Sequence, residues 1–346
     1  MSFPLHLHTF MKDISSFYKL LESPKKIVIT MHQKPDGDAM GSSLALYHFF
    51  KSIGHDVQVI SPTNYADFLR WMPDVKKVLN YETAKEKSES IINRADIIFC
   101  LDFNTMSRVK NMESILRSAF CIKVLIDHHQ EPDTASFDYG ISDTSKSSTC
   151  EMVYDFIMAS PYKNNLNLDM ATCIYTGTMT DTGSFRFPST TASVHKMIVH
   201  FKEMGLNHSI IHQNIYDTNL ENKLQFVGNA LLNRMTVIYE LNTALMSIPK
   251  SDIIKYDIKT GDTEGLVNYL TSIQGIKLAA IVIDREGERK WSFRSKDGFD
   301  VNDFARKHFN GGGHKAAAGG SSLDTLENTT EHFKTIIKEY ESQLSY

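Results

Sequence analysis

The apolar positions of the chain fall into short β-branched runs separated by stretches with helical spacing. Residues 25–31 (KKIVITM) read as a buried strand, and 39–53 (AMGSSLALYHFFKSI) repeat apolar residues at the interval of a helix. Gly54 is a helix stop and DVQVI at 56–60 the next strand, which completes a strand–helix–strand unit. Two further runs, ADIIFCLDFN (95–104) and CIKVLIDHH (121–129), share one form: a short apolar strand that ends abruptly in charged residues. Strands without apolar–polar alternation predict a parallel sheet covered on both faces, so the expected class is α/β. Ligand-binding loops of such sheets lie at the carboxyl ends of the strands.

Beyond these units, ISDTSKSST (141–149) reads as a polar loop leading into a capping box, Ser148-Thr149-Cys150-Glu151, and the helix EMVYDFIMA. A second helix starting near Asp169 delivers Asp181 at its end, just before DTGSFRF. Residues 190–235 read as mainly helical and polar enough to connect two domains. From 236 onward TVIYELNTALMSI, LAAIVIDREG and RKWSFRSK read as strands of a second, smaller domain. At 346 residues, two domains are the default.

A net charge of −4 provides no global field for nucleic acid, so an anionic ligand has to be held by a local patch. No long uncharged apolar run predicts a membrane span, and the first residues lack a basic stretch followed by an apolar one, so a cytoplasmic setting is expected. Cys100, Cys121, Cys150 and Cys173 form no C-x-x-C pair, and free thiols fit that setting.

The charged strand ends change the picture most. They carry His32, Asp36 and Asp38, then Asp102, then Asp127, His128 and His129, and Asp181 closes the later helix. Singly, each has a plain structural explanation: a Pro-Asp-Gly turn, a helix cap, a polar sheet edge. A calcium loop opening at Asp36 fails, because its twelfth position is Tyr47 rather than Glu. No single explanation covers all the strand ends together. So many acids at neighbouring strand ends repel one another unless cations lie among them. His32, Asp36, Asp38, Asp102, His128 and Asp181 are therefore the candidate ligands of a dinuclear site for Mn2+, with Mg2+ as the alternative.

A second cluster spans 289–315, where seven Lys or Arg stand against three Asp. Arg294 offers a planar fork for phosphate, and Gly311-Gly312-Gly313 followed by His314 and Lys315 lets backbone approach an anion closely. The glycines match neither a P-loop nor a dinucleotide fingerprint, and a plain glycine turn or bend is the competing reading. Trp291, Phe293 and Phe299 read as core more readily than as base-stacking rings. His6, His8, His195, His200, His208 and His212 match no motif and read as surface or packing residues.

HQKPDGDAMGS (32–42), the Asp of CLDFN, DHH at 127–129, the Asp of TDTGSFRF and the late GGGHKAAAG together resemble the DHH/DHHA1 phosphoesterase family over nearly the whole chain. The stretch 291–319 is most similar to its branch of oligoribonucleases that also dephosphorylate 3′-phosphoadenosine 5′-phosphate (pAp). The resemblance implies a parallel-sheet DHH catalytic domain with flanking helices at 1–195, a helical connector at 196–235 and a smaller α/β DHHA1 substrate-binding domain at 236–346, with the active site in the cleft between them. It implies His32 and Asp36 on one ion, Asp38, His128 and Asp181 on the other, and Asp102 bridging. His129 would serve the leaving oxygen as donor or general acid, with Asp127 orienting an imidazole. Arg294, Gly312, Gly313 and His314 would hold substrate phosphates, while Asn310 stands where many relatives extend the glycine run. Implied substrates are short single-stranded RNA oligonucleotides and pAp. No membrane or stable protein partner is implied, and a homodimer is allowed. Competing readings are a cyclic di-AMP or pApA phosphodiesterase and a catalytically dead nucleotide sensor.

Overall fold

The computed structural model describes residues 11–259 and 261–345; His6 and His8 lie outside the described residues. The chain divides into two compact units, one ending at Thr218 and the other beginning at Asn219.

The first unit is built on seven strands, β1 (Lys12–Asp13), β2 (Lys26–Met31), β3 (Asp56–Ser61), β4 (Leu79–Asn80), β5 (Ile97–Leu101), β6 (Ile122–Asp127) and β7 (Tyr139–Ser142). Their order is β1-β7-β6-β5-β2-β3-β4, and every pairing is parallel. The chain builds outward from β2 through β3 to β4, then returns to β5 and builds the other way. The strand order therefore reverses between β2 and β5, the place where open parallel sheets offer a crevice at their carboxyl ends.

Alternate strand residues serve opposite cores. Ile27, Ile29, Met31 and Phe99 belong to one, Val28, Ile98 and Cys100 to the other. The first core is covered by α1 (Gly37–Ser52), the second by α2 (Lys85–Ile92) and α3 (Glu113–Ser118). Helices α4 (Thr149–Ala159), α5 (Leu168–Asp181), α6 (Ala192–Glu203) and α7 (His208–Tyr216) complete the unit on the α1 side. α1 starts where it does because the Asp36 carboxylate accepts the N–H groups of Asp38 (3.0 Å) and Ala39 (3.1 Å). It packs hard against α5: a Cβ on Gly177 would lie 2.3 Å from Cys150 Sγ and 2.9 Å from Asp38 Cα.

Strand β7 takes only Ile141 and Ser142 from the loop expected at 141–149, and residues 143–148 are loop up to the start of α4. Tyr139 and Ile141 favour a strand while Gly140 and Ser142 do not, and the ladder to β6, where Gly140 and Ile141 pair with Leu125 and Ile126, carries all four. Two of the unplaced histidines are packed, His200 Nδ1 at 2.9 Å from Tyr154 Oη and His212 Nε2 at 3.1 Å from Tyr175 Oη, while His195 and His208 are exposed.

The second unit opens with α8 (Glu221–Asn233), followed by β8 (Met235–Ile238), β9 (Thr243–Ile248), α9 (Lys250–Lys255), α10 (Leu266–Thr271), β10 (Leu278–Arg285) and β11 (Glu288–Ser295). It closes with α11 (Val301–His308), β12 (Gly312–His314), β13 (Ala317–Ser322), α12 (Leu326–Ile336) and α13 (Glu341–Leu344). The strand order β12-β13-β11-β10-β9-β8 is mixed, with β9 and β10 parallel and the other pairs antiparallel. Trp291 and Phe293 are core residues, stacked at 5.4 Å within a cluster that includes Phe304, Phe309 and Phe333. Instead of a glycine turn or bend, 311–322 forms the β12–β13 hairpin, in which Gly312 is paired with Gly319 and His314 with Ala317. All four cysteines are free, and no helix among the described residues is long and apolar enough to cross a membrane.

Candidate metal centre

The reversal between β2 and β5 collects the charged strand ends. His32 follows β2, Asp36 caps α1 and Asp38 lies in its first turn. Asp102 follows β5, Asp127 ends β6 with His128 and His129 beyond it, and Asp181 ends α5. Asp102 holds a left-handed backbone with φ of 61°, a conformation that costs an ordinary residue free energy and collects at functional sites.

The side chains form two groups that share Asp102. On one side His32 Nε2 lies 3.4 Å from Asp102 Oδ2 and 3.7 Å from Asp36 Oδ2. On the other, His128 Nε2 lies 3.5 Å from Asp102 Oδ1, 3.8 Å from Asp38 Oδ2 and 3.6 Å from Asp181 Oδ2. One ligand atom from each of His32, Asp36 and Asp102, and likewise from Asp38, Asp102 and His128, falls within 4.8 Å of the others. His32, Asp38, Asp102 and His128 are buried.

Each imidazole is oriented through its other nitrogen. His32 Nδ1 lies 2.8 Å from the Gln33 carbonyl, His128 Nδ1 3.4 Å from the Lys146 carbonyl, and His129 Nδ1 2.7 Å from Asp127 Oδ1. Such bonds fix the ring and leave Nε2 for the site. Asp38 is held by the start of α4, where the N–H groups of Thr149 and Cys150 donate to its two oxygens at 2.7 and 2.8 Å.

Burial alone would lower both imidazoles and raise every carboxylate. The carboxylates overturn this for the imidazoles: Asp102 and Asp36 push His32 up to about 10, and Asp102, Asp181 and Asp38 push His128 well above its ordinary value. Asp102, hydrogen-bonded to both imidazoles, is held well below the usual carboxylate range despite its burial. For Asp38 and Asp181, burial and the neighbouring carboxylates act together; both are pushed up, Asp181 to about 6. More negative charge is assembled here than two imidazoles neutralise. Asp127 adds a buried Oδ2 that finds no hydrogen-bond partner among the described residues. Oxygen and imidazole donors in two groups with a shared carboxylate fit a pair of hard divalent cations.

In sequence the start of α4 has only the form of a capping box, which gives no sign of a role for Thr149. Ser148 Oγ does accept the Glu151 N–H at 3.0 Å, but the Glu151 carboxylate reaches back to the N–H and hydroxyl of Ser147, both at 2.8 Å, rather than to Ser148. The Thr149 hydroxyl donates to Asp102 Oδ1 at 3.0 Å.

In the second unit, Arg294 on β11 and His314 on β12 are both register partners of Ala317 on β13. Residues level with one another across a sheet share a face, so Arg294 and His314 flank Ala317 on the face opposite Trp291 and Phe293. The glycines have a packing duty of their own: a Cβ on Gly311 would lie 1.9 Å from the Gly319 carbonyl oxygen, and one on Gly313 2.5 Å from that of Ala317. The Gly313 N–H already donates to Asn302 Oδ1 at 2.9 Å, so that amide is spent inside the unit.

Residues 26–178 match the N-terminal domain of the DHH family, and residues 242–345 match the DHHA1 domain. The bifunctional oligoribonuclease and PAP phosphatase NrnA of Bacillus subtilis is 28% identical over 320 residues, which cover 91% of this chain and 96% of that protein. The cyclic-di-AMP phosphodiesterase GdpP of the same organism is 22% identical over 338 residues, covering 93% of this chain but 49% of GdpP. The crystal structure of an exopolyphosphatase-related protein from Bacteroides fragilis superimposes with a TM-score of 0.91 at 38% identity, covering 96% of this chain and 97% of that one.

Proposed function

The chain belongs to the DHH/DHHA1 phosphoesterase family, and from that premise we propose that it degrades very short RNA oligonucleotides to mononucleotides and dephosphorylates pAp to AMP. The observation that carries the chemistry is the Asp102 carboxylate, whose oxygens face two separate His/Asp groups. His32, Asp36 and Asp102 would hold one divalent cation, and Asp38, Asp102, His128 and Asp181 the other. Two such cations, Mn2+ given the imidazoles and Mg2+ otherwise, acidify the attacking water and neutralise charge on the phosphoryl oxygens when bound.

The protein's own groups do the rest. Asp127 accepts the Nδ1–H of His129 and fixes the ring, so that Nε2 is the atom that passes a proton to the departing ribose oxygen. Arg294 grips a substrate phosphate with its planar fork, aided by His314, and Gly312 and Gly313 add no side chain that would stand in the way of the phosphate. The branch assignment is supported by the near-complete coverage of both chains in the match to NrnA. A cyclic-dinucleotide phosphodiesterase is the second reading, favoured by the match to GdpP, in which about half of that longer protein is covered.

The test gives purified protein and Mn2+ a trinucleotide RNA, pAp and cyclic di-AMP in parallel, with Asp102→Ala as control. Mononucleotides from RNA and AMP from pAp, both lost in the variant, are the expected result. Turnover of the cyclic dinucleotide alone would transfer the protein to the second reading. Binding without turnover of any of the three would leave a nucleotide sensor.

A further inference from the structure

We propose that Thr149 is a positioning residue that sets the spacing and orientation of Asp38 and Asp102. The inference rests on the reading of those two carboxylates as cation ligands. Thr149 is fully buried and touches both: its N–H donates to Asp38 Oδ2 at 2.7 Å and its hydroxyl to Asp102 Oδ1 at 3.0 Å. The two carboxylates come from different elements, the first turn of α1 and the end of β5, 111 and 47 residues away along the chain, so Thr149 ties together parts that the sheet alone only brings near. The following amide, that of Cys150, takes the other Asp38 oxygen at 2.8 Å.

Starting a helix does not require this hydroxyl. The cap is made by Ser148, whose Oγ accepts the Glu151 N–H and also lies 3.1 Å from Thr178 Oγ1. The first residue inside a helix needs no side-chain oxygen. A hydroxyl there, buried and directed at the carboxylate that follows β5, is left for the site. The turn is braced before any ligand arrives, because Glu151 binds Ser147 twice and Lys146 Nζ lies 2.6 Å from Asp155 and 3.6 Å from Glu151. The Lys146 carbonyl faces His128 Nδ1, so the short run 146–150 contacts three of the candidate ligands without supplying one. Outer contacts of this kind fix the direction of a carboxylate lone pair toward a cation, and their loss typically weakens metal binding about 10–100-fold.

The test is calorimetric titration of Mn2+ into metal-stripped full-length protein carrying Thr149→Val, Thr149→Ala or Thr149→Ser, with circular dichroism to check folding. Valine keeps the branched shape and loses the hydroxyl; alanine loses it while the packing relaxes; serine restores it. The expected result is Mn2+ affinity about 10–100-fold weaker in the valine and alanine variants and near that of the unaltered protein in the serine variant. A folded Thr149→Val or Thr149→Ala protein that binds Mn2+ as tightly as the unaltered one would overturn the inference. So would a serine variant as weak as the other two, since packing would then be the cause. Failure of the unaltered protein itself to bind Mn2+ would instead overturn the reading of Asp38 and Asp102 as ligands.

Discussion

The two units bury polar groups in opposite ways. The first encloses His32, Asp38, Asp102, Asp127 and His128, a set whose charges do not balance among themselves. It also carries left-handed backbone at Asp102 and at three successive residues, Gly183, Ser184 and Phe185. The second unit packs Trp291, Phe293, Phe304, Phe309 and Phe333 into an aromatic core, and its buried Asp252 is satisfied internally. Arg234 grips that carboxylate at 2.7 and 3.0 Å, and Asn229 adds a bond at 3.0 Å. A buried carboxylate is thus no marker of function; one left with surplus negative charge around it is. Unbalanced burial costs stability unless a ligand completes it.

Substituting a carboxylate in each unit is the strongest way to break this comparison. Asp102→Asn is expected to lower phosphoesterase turnover by about 10³-fold or more at saturating Mn2+, since it removes the shared oxygen charge. Asp252→Asn is expected to cost about 1–3 kcal/mol of stability through its charge-assisted bonds, with turnover per folded molecule unchanged. An Asp252→Asn protein that melts normally yet turns over slowly would break the contrast. Next in size, Trp291→Ala should remove about 3–5 kcal/mol from the second unit, read by chemical denaturation. Its indole is buried, stacked on Phe293, and donates its N–H to Thr329 Oγ1 at 3.1 Å.

The imbalance in the first unit also sets a pH dependence. In the metal-stripped protein His32 and His128 hold their protons above the ordinary histidine value, and Asp38 and Asp181 hold theirs above the ordinary carboxylate value. A group with a raised folded-state pKa contributes stability that is present below its unfolded value and is lost as pH rises through the folded one. Both kinds of group therefore act in one direction. Carboxylate loss runs from about 4 to about 6 for Asp181, and imidazole loss from the ordinary 6.5 to about 10 for His32. Metal-stripped protein should lose stability between pH 5 and pH 9 by on the order of 1 kcal/mol per pH unit. Mn2+ held by these side chains as proposed would compete with the same protons, so its stabilising effect should grow over that range. Melting curves with chelator and with Mn2+ check both slopes; a chelated protein whose stability rises with pH would show that the carboxylate cluster does not hold the imidazoles charged.

Much of this contrast can be read before folding. Runs such as IVIT and IIFCL specify a doubly covered parallel sheet through side-chain chemistry alone, and the acids that end them can only lie at strand ends. The aromatic alternation of Trp291 and Phe293 likewise marks one buried face. What could not be read is pairing created by neighbours. β13 (AAGGSS) consists of alanine, glycine and serine, so its strand state comes from the β11 ladder rather than from local preference. In β7 the strand formers Tyr139 and Ile141 alternate with Gly140 and Ser142 and rely on pairing with β6. Thr149 was hidden for a related reason: a capping box looks the same whether or not the next hydroxyl faces a distant carboxylate. Close carbonyl contacts within the hairpin require glycine at 311 and 313 whether or not a phosphate binds there, a demand that spacing along the chain does not reveal.

The finest test makes one chemical change in each unit and expects opposite signs. Gly177 on α5 and Gly228 on α8 are both helix-interior residues, where alanine is intrinsically favoured by about 0.8–1 kcal/mol. A Cβ on Gly228 meets nothing within 4 Å, so Gly228→Ala should collect that gain and stabilise the protein by about 0.5–1 kcal/mol. At Gly177 the same carbon would come within 2.9 Å of both Asp38 Cα and the Gly37 carbonyl oxygen, and those backbone atoms cannot rotate away. α1 must shift, so Gly177→Ala should destabilise by about 1–3 kcal/mol. Because the displaced backbone is that of Asp38, Mn2+ affinity should weaken as well, whereas Gly228→Ala leaves it unchanged. Denaturant midpoints and Mn2+ titrations on the two variants read both effects. Gly177→Ala stabilising the protein as Gly228→Ala does would mean that α1 and α5 have slack between them, and the rigid seat for Asp38 would be lost from the account.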